Sequence, residues 1–325
     1  MTVNVTNEYL ELLNTAVSRE LQVSIQYMLQ HTKMEKILRK VKNENILLDK
    51  TTYDALGEIL KKFAIEEMKH AGDIIERIYL LGGEATTKAD KPEIGENLNE
   101  FAKLGVKAEE EALELYRQII NMAGKLGDRK TREMFVKIYR EEEEHLFTFQ
   151  EYTNIDVTEP EGIIAEESEW TKILTEDYFE LLNKALAAEL SAIIQYITQH
   201  EKASLEKLRK KETALEVITN KNKAQVVSDM LKEIFMQEMD HFEKIAERIY
   251  ILGGECGYDP DPLPEVGENV DDFLKLDHKA EDYAIILYRK IIDEATKRGD
   301  ITTKKLFEDI LMDEERHYWM FDDFF

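Results

Sequence analysis

The chain has 325 residues, of which 43% are hydrophobic and 34% are charged, so it is long enough for two domains and can bury a core. Its 43 Lys and Arg against 68 Asp and Glu give a net charge of −25, which argues against binding to nucleic acid or an anionic membrane and favours attraction of cations. A single cysteine, Cys256, excludes an intramolecular disulfide and a four-thiolate metal site.

The first residues, MTVNVTNEYL, lack the basic and apolar segments of a signal peptide. The sequence also has no run of about 18 apolar residues that could span a membrane. We therefore expect a cytoplasmic protein without a membrane span.

The sequence repeats itself once. SRELQVSIQY (18–27) matches AAELSAIIQY (187–196), and EEMKHAGDIIERIYLLGG (66–83) matches QEMDHFEKIAERIYILGG (237–254). The offset between matching residues grows only from 169 to 172 along the chain. Such a small change over a whole domain indicates two copies of one unit rather than an array of short repeats.

The sequence of each copy predicts four α-helices, because apolar residues recur at three- and four-residue spacing. The predicted helices cover 7–42, 51–81, 96–126 and 128–152, then 175–211, 223–252, 268–298 and 300–324. We expect domains at 1–153 and 171–325, joined by an acidic linker at 154–170.

The segments between the predicted helices carry all five prolines and the glycine pairs Gly82-Gly83 and Gly253-Gly254. Gly127-Asp128 and Gly299-Asp300 each read as a helix end followed at once by an N-cap. Between the second and third helices, residues 82–95 could reach about 46 Å, enough to pass a helix that is about 42 Å long. The predicted fold class is all-α: two tandem four-helix bundles with one long crossover each.

Glutamate precedes histidine by three residues at His70, His145, His241 and His317. With 68 acidic residues in 325, chance would give about one or two such pairs among seven histidines. Residues three apart share a helix face, so each pair offers a carboxylate and an imidazole to one point. These pairs fall only on the second and fourth predicted helices of each copy.

The first and third helices of each copy add one glutamate each. The candidate metal ligands are Glu20, Glu67, His70, Glu109, Glu142 and His145, and in the second copy Glu189, Glu238, His241, Glu281, Glu314 and His317. Four carboxylates and two imidazoles from four helices are typical of a di-metal carboxylate centre. They suit iron or manganese, between which the sequence does not choose. The other glutamates of REEEEH (Glu141, Glu143 and Glu144) are expected on a solvated face.

Two tyrosines, Tyr27 and Tyr196, lie seven residues after Glu20 and Glu189 and share their helix face. They are candidates for a catalytic role beside the metals. The equally supported alternative is that both are core residues whose hydroxyl groups are hydrogen-bonded.

Both copies resemble bacterioferritin, of the ferritin-like superfamily. The resemblance rests on E-L-x-x-x-x-Q-Y, E-M-[KD]-H-x-x-x-I-x-E-R-I and [DE]-E-E-x-H, which occur in both copies. It implies ferritin-like bundles, the same twelve residues as iron ligands, and oxidation of Fe(II) by O2 or hydrogen peroxide, a ferroxidase activity. It also implies pairing of domains about a two-fold axis, here within one chain, with further association between chains left open.

In bacterioferritins, the methionine after the second-helix glutamate ligates a haem iron. Those positions are Met68 and Met239, so the resemblance implies one haem b held by both. The alternative is that both methionines only fill the core.

Two other functions stay open. The related rubrerythrins, which reduce peroxide or O2 with an external donor, carry a further glutamate where this chain has Ala112 and Ala284. A non-catalytic protein that holds metal or haem would use the same ligands. The chain also departs from bacterioferritin in the 47 and 49 residues that separate its first and second ligands, which predicts helices lengthened near 36–55 and 206–225.

Overall fold

A computed structural model describes residues 5–38, 46–155, 173–209 and 223–325. Those residues form eight α-helices and no strand. The helices are α1 (Asn7–Leu38), α2 (Ile46–Leu80), α3 (Leu98–Leu126), α4 (Arg129–Thr153), α5 (Glu176–Arg209), α6 (Lys223–Leu252), α7 (Val270–Arg298) and α8 (Ile301–Asp322). The chain divides into two compact units, Met1–Gly162 (unit 1) and Ile163–Phe325 (unit 2). The all-α fold class is confirmed.

The helix bounds differ from the predicted ones mainly at the start of α2. This helix begins at Ile46 rather than at 51, so residues 46–55 do extend it upstream. The predicted helix ends at 42 and 211 lie outside the described residues, as does most of the linker expected at 154–170. The boundaries at 153 and 171 stay predictions.

Local capping residues define the ends of α3 and α4. Asn97 accepts a hydrogen bond from the Glu100 amide, so α3 begins at Leu98, two residues after the predicted start. Gly127 ends α3 at φ 72°, in the left-handed region that glycine adopts without strain. Asp128 then caps α4 by accepting from the Thr131 amide at 3.2 Å. Unit 2 repeats these features.

The crossover of unit 1 runs along α1 from one end of the bundle to the other. The Thr86 amide donates to Asn14 Oδ1 at 2.7 Å, and the Asp90 amide donates to the Ser18 carbonyl at 3.1 Å. Near the far end, Lys33 Nζ donates to the Gly95 carbonyl at 2.9 Å. The crossover therefore passes the whole bundle as predicted, and α3 starts beside the end of α1. The crossover of unit 2 follows α5 in the same way, from Asn183 to Lys202.

One glycine in α3 is required by close contact rather than by backbone conformation. A Cβ added to Gly105 would lie 2.6 Å from the ring of Phe149, which is fully buried on α4. A Cβ at Gly124, in the same helix, would meet nothing closer than Arg132 at 3.8 Å. The two positions form a matched pair for testing how tightly α3 and α4 fit together.

We expect Gly105→Ala to lower the free energy of unfolding by about 1–3 kcal/mol, because the methyl group overfills the α3–α4 contact. Gly124→Ala should instead raise it by up to about 1 kcal/mol, because alanine favours the helix without a clash. Urea unfolding of both variants measures the difference. Equal stability of the two variants would contradict the tight contact at Gly105.

Candidate metal centres

Six side chains from four helices meet in the middle of unit 1. They are Glu20 on α1, Glu67 and His70 on α2, Glu109 on α3, and Glu142 and His145 on α4, and each is at most 5% exposed. Their ligand atoms form two overlapping groups, within each of which all atoms lie within 4.8 Å of one another. One group contains Glu20, Glu67, His70 and Glu142, and the other contains Glu67, Glu109, Glu142 and His145.

Two carboxylates belong to both groups. Glu67 lies 3.2 Å from His70 Nδ1 through one oxygen and 2.9 Å from His145 Nδ1 through the other. Glu142 likewise lies 3.1 Å from His70 Nδ1 and 3.0 Å from His145 Nδ1 through its separate oxygens. These two glutamates thus stand between two positions, each completed by one histidine and one further glutamate.

Unit 2 repeats the arrangement. Glu238 lies 2.9 Å from His241 Nδ1 and 3.1 Å from His317 Nδ1 through its two oxygens. Glu314 lies 3.0 and 3.6 Å from the same two atoms. Glu189 completes the group around His241, and Glu281 completes the group around His317.

Several of the buried ligand atoms have no hydrogen-bond partner. In unit 1 these are Glu67 Oε1, both oxygens of Glu142, and His145 Nδ1. These atoms lie close to one another across the cluster, but they do not meet the geometry of a hydrogen bond. Buried polar atoms rarely stay unpaired, and clustered carboxylates repel one another. The donor set therefore fits two divalent cations with mixed oxygen and nitrogen ligands, as iron and manganese accept.

The pKa values of the terminal glutamates and of the histidines are raised, whereas contacts with His145 and His70 outweigh burial and lower the pKa of the shared Glu67. Burial, together with the nearby charges of Glu67 and Glu142, raises the pKa of Glu20 well above its usual range. The pKa of Glu109 is raised for the same reasons. Burial alone would lower the pKa of His145, but the close carboxylates of Glu142 and Glu67 outweigh it and raise the value to about 11. In unit 2, the close negative charge of Glu238 likewise outweighs burial and raises the pKa of His317 to about 9.

We expect the metal-free protein to lose stability as the pH rises from about 6.5 to 9. An unfolded histidine releases its proton near pH 6.5, whereas His317 and His145 keep theirs in the folded state up to about 9 and 11. The folded state therefore binds more protons over this window, and stability falls with pH. The raised pKa values of Glu20 and Glu109 act in the same direction.

The urea midpoint of chelator-treated protein, measured across that window, checks this expectation. Metal-loaded protein is the control, because bound cations replace the protons on the ligands and should remove the dependence. A midpoint that rises with pH in the metal-free form would contradict it.

Residues next to the candidate ligands hold the outer nitrogens of the histidines. His70 Nε2 lies 3.2 Å from Glu141 Oε2, and His145 Nε2 lies 3.2 Å from Glu66 Oε2. In unit 2, Asp313 lies 3.4 Å from His241 Nε2, and Gln237 lies 2.6 Å from His317 Nε2. Such contacts orient the ring so that Nδ1 faces the centre. Glu141, which was expected on a solvated face, has a side chain that is 37% exposed and also lies beside His70.

Tyrosines hold the four glutamates that belong to one group only. Tyr27 on α1 donates to Glu109 on α3, and Tyr116 on α3 donates to Glu20 on α1. In unit 2, Tyr196 donates to Glu281 at 2.6 Å, and Tyr288 donates to Glu189. Sequence reasoning found Tyr27 and Tyr196 but missed Tyr116 and Tyr288. The signal was present, since both missed residues follow Glu109 and Glu281 by the same seven positions.

Comparison with known proteins identifies the family. The ferritin-like domain matches the chain twice, at residues 10–156 and 179–325. The chain belongs to the ferritin family. Because the domain matches each half of the chain, it is a tandem bacterioferritin-like protein.

Its relatives include two bacterioferritins of similar identity. That of Desulfovibrio desulfuricans is 34% identical over 144 residues, covering 44% of this chain and 72% of the relative. That of Rhodobacter capsulatus is 34% identical over 142 residues, covering 42% of this chain and 76% of the relative. These relatives and the two carboxylate and histidine clusters support a ferritin-like function in iron handling.

Two solved bacterioferritins also align with about half of the chain. The Rhodobacter capsulatus protein, with a metal-free dinuclear site and a haem iron, has 26% identity and a TM-score of 0.40, covering 46% of this chain and 85% of its own. The Desulfovibrio desulfuricans protein, with its di-iron site in different catalytic states, has 30% identity and a TM-score of 0.39. The match covers 45% of this chain and 78% of the relative.

The methionines singled out for haem lie beside the clusters in sequence. Met68 is 3% exposed and Met239 is 5% exposed, so both thioethers are buried. Separately, none of the helices within the described residues is long and apolar enough to cross a membrane.

Proposed function

We propose that this ferritin-family protein oxidises Fe(II) with O2 or hydrogen peroxide at two di-iron centres, one in each unit. The observation that carries the proposal is the pair of overlapping ligand groups, which share Glu67 and Glu142 in unit 1 and Glu238 and Glu314 in unit 2. A cytoplasmic location, with Fe(II) and the oxidant as small-molecule partners, belongs to the same proposal.

Some of the side chains would bind the metals, and others would orient those ligands. Iron bound between them would supply the electrons that O2 or peroxide accepts. In unit 1, Glu67 and Glu142 would help to hold both metals, and Glu20 with His70 and Glu109 with His145 would each hold one of them. Tyr27 and Tyr116 would hold the terminal glutamates in place by hydrogen bonds, which is a positioning role. The negative charge of four carboxylates balances the charge of two dications.

Rapid mixing of the Fe(II)-loaded protein with O2 or with peroxide tests the proposal. We expect a fast rise in ferric absorbance equivalent to the loaded iron, with retained ferric product. A protein that binds Fe(II) but shows no such rise in ferric absorbance would contradict a ferroxidase and favour a metal-holding protein.

Sustained consumption of peroxide in the presence of a reductant would instead favour the rubrerythrin-like alternative, although Ala112 and Ala284 stand where that family carries an extra glutamate. Manganese loading of a parallel sample tests the other metal that suits these ligands.

Haem binding is a second part of the proposal. The buried thioethers of Met68 and Met239 would hold the haem, because thioether sulfur is a soft ligand that suits haem iron. The solved Rhodobacter capsulatus relative contains a haem iron. We expect protein produced with added haem to show one bis-methionine haem b per chain in its visible spectrum. The spectrum should change to that of a different axial ligation, or disappear, in Met68→Leu and in Met239→Leu. A colourless wild-type protein would leave both methionines as core residues.

The expected assembly is a pair of ferritin-like domains formed within the chain, with further association of chains left to measurement. Particle mass in solution tests it. A species of one or a few chains is expected, and a hollow particle of about twelve chains would contradict it.

A further inference from the structure

A cavity of about 40 Å³ in unit 2 reaches the metal centre. Its lining includes Glu189, Glu281, Glu314, Ala188, Ala280 and Tyr283. The glutamates are at most 2% exposed, whereas Tyr283 is 43% exposed. The cavity therefore leads from the protein surface, between α5 and α7, to the carboxylates of the centre.

An arginine occupies the corresponding place in unit 1. Ala188 directly precedes Glu189, and the residue that directly precedes Glu20 is Arg19. Arg19 Nη1 lies 3.1 Å from Glu111 Oε2, and its Nη2 donates to the carbonyl of Ala108. Ala108 and Glu111 are the counterparts of Ala280 and Tyr283, which line the cavity in unit 2. The arginine side chain thus lies across the positions that border the passage in the other unit.

Two neighbouring differences act in the same direction. Ser191 and Ala192 also line the cavity, and their counterparts in unit 1 are the larger Gln22 and Val23. Arg19 is only 9% exposed, so its side chain lies within the protein, and its positive charge is paired with Glu111. The space available at this place therefore differs between the units.

We infer that Arg19 restricts the access of divalent cations to the metal centre of unit 1, whereas the passage beside Ala188 leaves the centre of unit 2 open, so that the two centres fill at different rates. This inference rests on the proposed function, in that both centres bind metal. The arginine side chain acts by filling the passage, where its contacts with Glu111 and Ala108 hold it in place. The chain would then hold one fast and one slow centre built from the same ligands.

Anaerobic stopped-flow binding of Co(II), followed by its visible absorption, tests the inference without any redox reaction. Full-length chains with one centre removed assign the rates. Glu238→Ala with His241→Ala leaves the centre of unit 1, and Glu67→Ala with His70→Ala leaves the centre of unit 2. We expect Co(II) to bind about 10-fold or more slowly at unit 1, since a barrier that is higher by about 1.4 kcal/mol already slows a rate tenfold.

Reciprocal substitutions at the matched positions give the decisive comparison. Arg19→Ala should bring the rate at unit 1 up to that of unit 2, and Ala188→Arg should slow unit 2 toward unit 1. Arg19→Met, which keeps a long side chain without the charge, should give a rate between those of wild type and Arg19→Ala. If Arg19→Ala fails to fold, Ala188→Arg decides alone, because it probes the open unit.

Equal rates at the two centres, unchanged by Arg19→Ala and by Ala188→Arg, would overturn the inference while leaving the proposed function intact. So would an Arg19→Ala variant that loses stability but binds Co(II) at the wild-type rate, because Arg19 would then only link α1 to α3. A protein that binds Co(II) at neither centre would overturn the proposed function and this inference together.

Discussion

Simultaneous replacement of Glu67 and Glu238 by alanine is expected to lower the rate of Fe(II) oxidation by at least about 100-fold, since loss of even an outer partner of a metal ligand commonly costs 10–100-fold. Each of these glutamates faces both histidines of its centre, with separations of 2.9–3.2 Å. One substitution per unit therefore removes a donor from both metal positions. Stopped-flow absorbance after mixing Fe(II)-loaded protein with O2 gives the rate.

The matched control removes the same charge from exposed positions. Glu110 and Asp282 are exposed and directly follow Glu109 and Glu281, so Glu110→Ala with Asp282→Ala should oxidise Fe(II) like wild type. Each single variant, Glu67→Ala or Glu238→Ala, should keep the activity of the other unit. Circular dichroism verifies that the bundles remain folded. Wild-type oxidation by the folded double variant would show that these glutamates are not ligands.

Replacement of Tyr116 and Tyr288 by phenylalanine is expected to weaken metal binding by about 10–100-fold at each centre. Tyr116 donates to Glu20 and Tyr288 donates to Glu189, in each case the terminal glutamate from the first helix of the unit. Without the hydroxyl, that carboxylate loses the bond that aims it at the metal position. Phenylalanine keeps the ring that contacts Phe135 in unit 1 and Phe307 in unit 2.

Equilibrium Co(II) competition with a chelator measures the affinity of the tyrosine variants. The control is Tyr139→Phe, which removes a hydroxyl that accepts a hydrogen bond from the exposed Arg117 on the neighbouring helix and should not change metal binding. Unchanged affinity in Tyr116→Phe with Tyr288→Phe would mean that these tyrosines merely fill the core.

The tandem organisation, the eight helices and the crossover follow from local features of the sequence. Capping residues such as Asn97 and Asp128 act within one helix turn, and the Glu-x-x-His spacing places two donors on one face of a single helix. These features need no knowledge of how the helices are arranged. For that reason the sequence could also predict which twelve side chains would come together.

Contacts between helices could not be predicted in the same way. The shared position of Glu67 and Glu142 depends on how α2 and α4 are set against each other, which no spacing along the chain specifies. The same holds for the bond from Tyr116 to Glu20 and for the contact of Glu141 with His70. The sequence alone does not indicate a role for Arg19, because that role depends on the cavity that the structure shows beside its counterpart Ala188.

Metal stoichiometry tests the central claim most directly. Protein loaded anaerobically with Fe(II) and freed of excess metal should contain four irons per chain by elemental analysis, two for each pair of overlapping ligand groups. Glu67→Ala with His70→Ala should reduce the value to about two, because it removes ligands from both positions in unit 1 and leaves unit 2 intact. A wild-type value near two, or no bound iron, would contradict two di-iron centres in one chain.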